Sequence, residues 1–116
     1  MIRQNKPNPD IHEVTYARLV AEYAQSLADK LAVLDEAMRR ARCAPDVGHS
    51  PGLADAREVA HRLRGTAGCY GFRDVSEAAG TLDEVLTALQ RGEGSWGAAE
   101  DAAELVRAAA EAVLRR

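Results

Sequence analysis

Residues 60–72 read AHRLRGTAGCYGF, and this stretch decides which fold the sequence predicts. His61 is followed four and seven residues later by Gly65 and Gly68, the spacing of neighbours on one face of an α-helix. A glycine inside a helix costs about 0.5–1 kcal/mol relative to alanine, and this alanine-rich chain does not use alanine there. The glycines therefore indicate a helix face on which the space around His61 is kept open.

On a helical wheel, His61 points away from the apolar face of its helix. The opposite side carries the apolar set Ala56, Val59, Leu63, Ala67 and Tyr70. Beside His61 lie Gly65 and Gly68, together with Arg57 and Arg64. Glycines that serve close helix packing are expected on the apolar face, whereas these lie opposite it. The pattern predicts a docking site for an anionic partner, centred on one exposed imidazole.

The rest of the chain predicts an all-α fold, an antiparallel four-helix bundle with short connections. Residues 1–9 are polar and contain proline, which predicts a flexible N-terminal lead segment. We expect residues 10–116 to form one domain. We expect helices near 10–43, 53–70, 72–91 and 96–115, with room for a short N-terminal extension or an extra helix. The first helix carries a long apolar stripe, comprising Tyr16, Val20, Tyr23, Leu27, Leu31, Leu34 and Met38.

Composition narrows the class of protein. The 116 residues carry a net charge of −3, and 47% of them are apolar. The arginine-rich segment RRAR at 39–42 has no aromatic platform beside it, so the sequence argues against nucleic acid as a partner. No apolar run approaches the length of a membrane span and no secretory signal is visible, which predicts a cytoplasmic protein. Cys43 and Cys69 are then expected to be reduced thiols, and the scattered histidines give no metal site.

At this point the residues resemble a known family. HRLRGTAGCYG, at 61–71, is similar to the signature of histidine-containing phosphotransfer (HPt) domains, H-x-L-K-G-x-(A/S)-x-x-x-G. Arg64 stands where the family usually has lysine, which keeps the charge but changes its geometry. The resemblance extends through EAAGTLDEVLTALQRGE at 77–93, and the phosphoacceptor domain of chemotaxis-type histidine kinases shares the signature.

The resemblance implies a four-helix bundle in which His61 accepts a phosphoryl group from a receiver aspartate, or from a kinase, and passes it to a response-regulator receiver. Arg64 and Arg57 would balance the phosphoryl charge, and Gly65 and Gly68 would give a partner access. The family often has a glutamate near the histidine. The aligned position here is Asp83, which we prefer to its outward-facing neighbour Glu84. Because aspartate is shorter, a direct bond to His61 and a water-bridged one both remain open.

The resemblance also implies what the domain lacks. It would be a phosphoryl carrier without turnover of its own and with no intrinsic cofactor, since the partner receiver would supply Mg²⁺. Its partners would be a receiver domain and a sensor or hybrid histidine kinase, and nothing in the sequence demands more than a monomer. The alternative is a protein of the same fold that binds or inhibits a kinase or receiver without carrying phosphate. A second alternative, an enzyme that uses His61 as a general base, lacks a nucleophile beside the ring.

Overall fold

The computed structural model describes residues 9–115, with side chains from residue 14 onward. Four helices account for most of this range: α1 (Pro9–Arg42), α2 (Pro51–Cys69), α3 (Arg73–Gln90) and α4 (Trp96–Leu114). A single 3-10 turn, Val47–His49, lies between the first two, and residues 9–115 contain no strand. The predicted all-α four-helix bundle is confirmed, while most of the predicted lead, residues 1–8, lies outside the described residues.

Local signals in the sequence set the ends of α2. Ser50 caps its N-terminus, where Oγ accepts a hydrogen bond from the Gly52 amide at 3.0 Å, and Pro51 occupies the first turn, where no amide donor is needed. At the other end Gly71 has a φ of 84°, and the Phe72 amide donates to the Ala67 carbonyl at 2.8 Å. This left-handed turn explains the last glycine of the signature, because other residues are strained at such a φ.

The core is aliphatic, as the low aromatic content predicts. Its largest fully buried side chains come from all four helices: Leu27, Leu34, Leu53, Leu63, Leu82, Leu86, Val75 and Val106. On α2 the predicted positions Ala56, Leu63 and Ala67 are buried, whereas Val59 and Tyr70 are only half-buried. Both cysteines are exposed free thiols. No helix within residues 9–115 has an apolar stretch of the length that crossing a membrane would need.

The N-terminal part of α1 corrects the sequence prediction. Tyr23 packs against Tyr70 and Phe72 at the turn between α2 and α3, with ring centroids 4.7 and 6.0 Å away. N-terminal to Val20 the apolar stripe is exposed, because α1 extends beyond the turn between α2 and α3. Val20 is only half-buried and Tyr16 is 54% exposed. From Pro9 onward the N-terminal extension is therefore a continuation of α1 and not a separate helix.

Candidate functional site

His61 lies midway along α2 with its imidazole on the surface of the bundle. Its side chain is 71% exposed, so a partner must cover the ring before any chemistry can exclude water. The predicted orientation is therefore present in the structure. Ala60, immediately before it, is fully buried and anchors this turn of α2 in the core.

Asp83 on α3 is the hydrogen-bond partner of the ring. Its Oδ2 lies 3.0 Å from Nδ1 of His61, so the contact is direct and needs no bridging water. An ionised carboxylate can only accept hydrogen bonds, so this contact favours the tautomer of a neutral ring that carries its proton on Nδ1 and leaves Nε2 bare. Asp83 is buried while Glu84 is exposed. The choice of Asp83 over Glu84 thus agrees with the geometry.

Arg57 lies on the Asp83 side of the ring. Its Nε is 3.5 Å from Oδ1 of Asp83, and its Nη1 donates to Oε1 of Gln90 at 3.3 Å. Both acceptors belong to α3, so the arginine reaches across from α2. The sequence prediction placed Arg57 beside the phosphoryl group, whereas here it lies beside Asp83 and Gln90. Direct contact of Arg57 with phosphate stays a prediction, and these contacts do not support it.

The side chain of Arg64, on α2, lies against α3 at Gly80. A Cβ built on Gly80 would be 3.4 Å from Cδ and 3.5 Å from Nε of Arg64, which is ordinary van der Waals contact, so the arginine stem packs over this position. Gly80 is itself buried beneath this stem. Arg64 forms no ion pair with an acid of the described residues, which leaves its guanidinium available to an anion from outside. Its role in balancing phosphoryl charge stays a prediction.

The two glycines of the His61 face differ in their surroundings. A Cβ on Gly65 would meet nothing within 4 Å, so this position is open, as predicted. A Cβ on Gly68 would lie 3.2 Å from Oγ of Ser76, which in turn donates to the Arg64 carbonyl at 2.6 Å. The argument that neither glycine serves helix packing is therefore wrong for Gly68. Because α3 crosses α2 on the His61 side, that side is partly an interhelical face.

A second polar contact joins α2 to α1. The hydroxyl of Thr66 donates to the Arg62 carbonyl at 2.9 Å, so the Tyr23 hydroxyl, 2.7 Å away, is the donor to Thr66. Burial raises the pKa of Tyr23, partly offset by its bond to Thr66. The hydroxyl therefore stays protonated at neutral pH and can donate.

Sequence reasoning missed the residues of α3 that support the site, namely Ser76, Gly80 and Gln90. For Gly80 a signal existed, because the argument that singled out Gly65 applies to any glycine inside a helix. The sequence holds no such signal for Ser76 and Gln90, because their contacts depend on how α3 crosses α2. Among the residues that the structure describes, no cluster of three or more His, Cys, Asp or Glu could hold a metal ion.

A comparison with known protein families gives a match for this chain. The family model described as Hpt domain matches residues 18–116. Neither the curated proteins nor the solved structures give a match. The matched range covers α1 from residue 18 onward and all of α2, α3 and α4, and it contains His61, Arg64 and Asp83. The chain therefore belongs to the Hpt domain family, whose members are phosphocarriers of two-component signalling and interact with receiver domains and histidine kinases.

Proposed function

We propose that this chain is a histidine phosphotransfer protein that accepts a phosphoryl group on Nε2 of His61 and passes it to a response-regulator receiver. The donor is the phosphorylated aspartate of a receiver, or a kinase. The observation that carries the proposal is the bond between Nδ1 of His61 and buried Asp83, which leaves Nε2 bare on an exposed ring.

The chemistry requires little from this chain besides that ring. The lone pair of Nε2 attacks phosphorus while the bond from phosphorus to the leaving oxygen breaks, and the aspartate of the donor departs as a carboxylate. No proton has to leave Nε2, and the ring becomes a phosphorylated imidazolium whose Nδ1–H still faces Asp83. Asp83 stabilises that positive charge and Arg64 the phosphoryl oxygens. The reverse steps deliver the group to the next receiver.

The remaining machinery would come from the partner. Phosphoryl transfer from an aspartate depends on a Mg²⁺ clamp, which we assign to the receiver as part of this proposal. Arg64 places a positive charge on the exposed surface around His61. Positive charge on this surface favours an acidic partner surface and accelerates the encounter with it.

The test of this function uses purified protein and receivers carrying radiolabelled aspartyl phosphate. We expect label to move to the protein within a single turnover and then to a second receiver added after the first is removed. Binding of a receiver without any label on the protein would support the alternative, a domain that binds or inhibits without carrying phosphate. Label that never leaves for a second receiver would contradict the carrier role.

Asp83 gives a prediction that needs no partner. Asp83→Asn should slow labelling of His61 by phosphoramidate by about 10–100-fold, by analogy with the loss of a hydrogen-bond partner that orients a metal-bound histidine. The amide can donate to Nδ1, which favours the tautomer with the proton on Nε2. Glu84→Gln removes a neighbouring exposed charge and serves as the control, with an unchanged rate. Equal rates for the two variants would remove Asp83 from the mechanism.

Gly65 provides a test of docking. Gly65→Gln should leave labelling by phosphoramidate within about twofold of wild type, because the side chain enters open space and not the ring's own contacts. Transfer from a receiver should fall at least about tenfold, since the new side chain occupies the surface that the receiver covers. Gly68 is unsuitable for this test because a side chain there presses on Ser76. Unchanged transfer from the receiver would show that Gly65 does not lie in the docking surface.

A further inference from the structure

Asp83 has two carboxylate oxygens, and His61 uses one of them. Oδ2 accepts from His61, whereas Oδ1 is buried and has no hydrogen-bond partner within the described part of the chain. The side chain of Asp83 is only 9% exposed, so water cannot fully compensate its charge. A buried carboxylate in this position needs a counter-charge, or its charged form becomes costly.

Arg57 is the cation at that second oxygen. Its Nε lies 3.5 Å from Oδ1, longer than a good hydrogen bond but within the range of an ion pair. The other end of the guanidinium is held by Gln90, through the contact from Nη1 to Oε1 at 3.3 Å. Asp83 and Gln90 are two turns apart on the same face of α3, so the planar guanidinium of Arg57 can contact both side chains.

We propose that Arg57 is a positioning residue, which acts on His61 only through Asp83. This inference rests on the proposed function. A carboxylate is free to rotate about its last torsion, where the rotamer preference is broad and roughly two-fold. The Arg57 charge at Oδ1 restrains that rotation and keeps Oδ2 directed at Nδ1–H. Arg57 thereby selects the tautomer with Nε2 bare, without contact to the phosphoryl group.

Four residues form this chain of contacts, His61, Asp83, Arg57 and Gln90, and they alternate between α2 and α3. The exposed fraction of the side chain is 71% for His61, 9% for Asp83 and 45% for Arg57. The buried carboxylate therefore lies between two exposed ends. A change at the Arg57 end can therefore reach the imidazole through Asp83.

The test compares Arg57→Gln with Arg62→Gln, which removes the same charge from an exposed pair with Glu58 on the same helix. Side-chain ¹⁵N shifts of His61 report its tautomer in the unphosphorylated protein, and phosphoramidate reports its reactivity. In Arg57→Gln we expect a measurable rise in the tautomer protonated on Nε2 and labelling slower by about threefold to fivefold. Arg62→Gln should match wild type in both, and Arg57→Lys should recover part of the loss by restoring charge.

The two readouts separate the possible failures. An unchanged tautomer and an unchanged rate in Arg57→Gln would overturn the inference. A slower rate with an unchanged tautomer would also overturn it, because Arg57 would then act on the phosphoryl group directly. If the wild-type protein took no phosphate at all, the proposed function would fail, while the tautomer measurement would still decide whether Arg57 positions Asp83.

Discussion

Replacing His61 by glutamine is expected to abolish phosphate uptake while the bundle remains folded. The side chain contributes nothing to the core, being 71% exposed, so its loss should change the free energy of unfolding by less than about 0.5 kcal/mol. Glutamine keeps polarity and reach but has no nitrogen with a free lone pair that can take a phosphoryl group. No label should appear with either a receiver or phosphoramidate, and circular dichroism should confirm the helical content.

His49 offers a matched control for that experiment. It is also exposed, and its Nδ1 lies 2.8 Å from Asp46, so it too is a histidine beside a carboxylate. It lies in the 3-10 turn between α1 and α2, outside the surface around His61. His49→Gln should therefore keep full uptake. Label retained by His61→Gln and lost by His49→Gln would move the phosphoacceptor to the turn.

Gly52 is expected to be the substitution most damaging to the fold. A Cβ there would lie 2.7 Å from the Ala41 amide nitrogen and 2.8 Å from the Ala37 carbonyl oxygen, both in the backbone of α1. These atoms cannot move aside as a flexible side chain can, so α1 and α2 must separate. Gly52→Ala should lower the free energy of unfolding by about 2–3 kcal/mol, at the upper part of the range for overpacking. Urea titration measures the loss.

The same substitution at Gly65 is the control for that measurement. Gly65 lies in the same helix, and a Cβ on it meets nothing. Gly65→Ala should raise the free energy of unfolding by about 0.5–1 kcal/mol, through the better helix propensity of alanine. If both alanine variants were equally stable, the close approach of α1 and α2 at Gly52 would not be a feature of the folded protein.

The fold was predictable because the pattern of apolar residues and the helix-ending signals agree with one another. Ser50 and Ser95 cap the N-termini of α2 and α4 with their side-chain oxygens, and Gly71 ends α2 through its left-handed backbone, so these signals are local. The extent of the core was harder to predict. Tyr16 lies in phase with the buried stripe of α1, and only the position of the turn between α2 and α3 leaves it exposed.

In the candidate site, His61 and Asp83 were predictable from the sequence, whereas the contacts of the residues around them were less so. Outward orientation of His61 follows from helical periodicity, and Asp83 from alignment with a family. The role of Gly68 and the path of Arg57 depend on the angle at which α3 crosses α2, and no pattern within α2 contains that angle. Residues that act between helices were therefore assigned to the free surface, as Gly68 was, or missed, as Gly80 was.

The most direct test of the central claim is the position of the phosphoryl group on the protein. Phosphorylation by a receiver, with ¹⁵N-labelled histidine, allows the coupling between phosphorus and nitrogen to identify the atom that carries the group. We predict a single phosphoryl group on Nε2 of His61, stable in base and lost in acid. Phosphate on Nδ1 of His61, or on any other residue, would contradict the account.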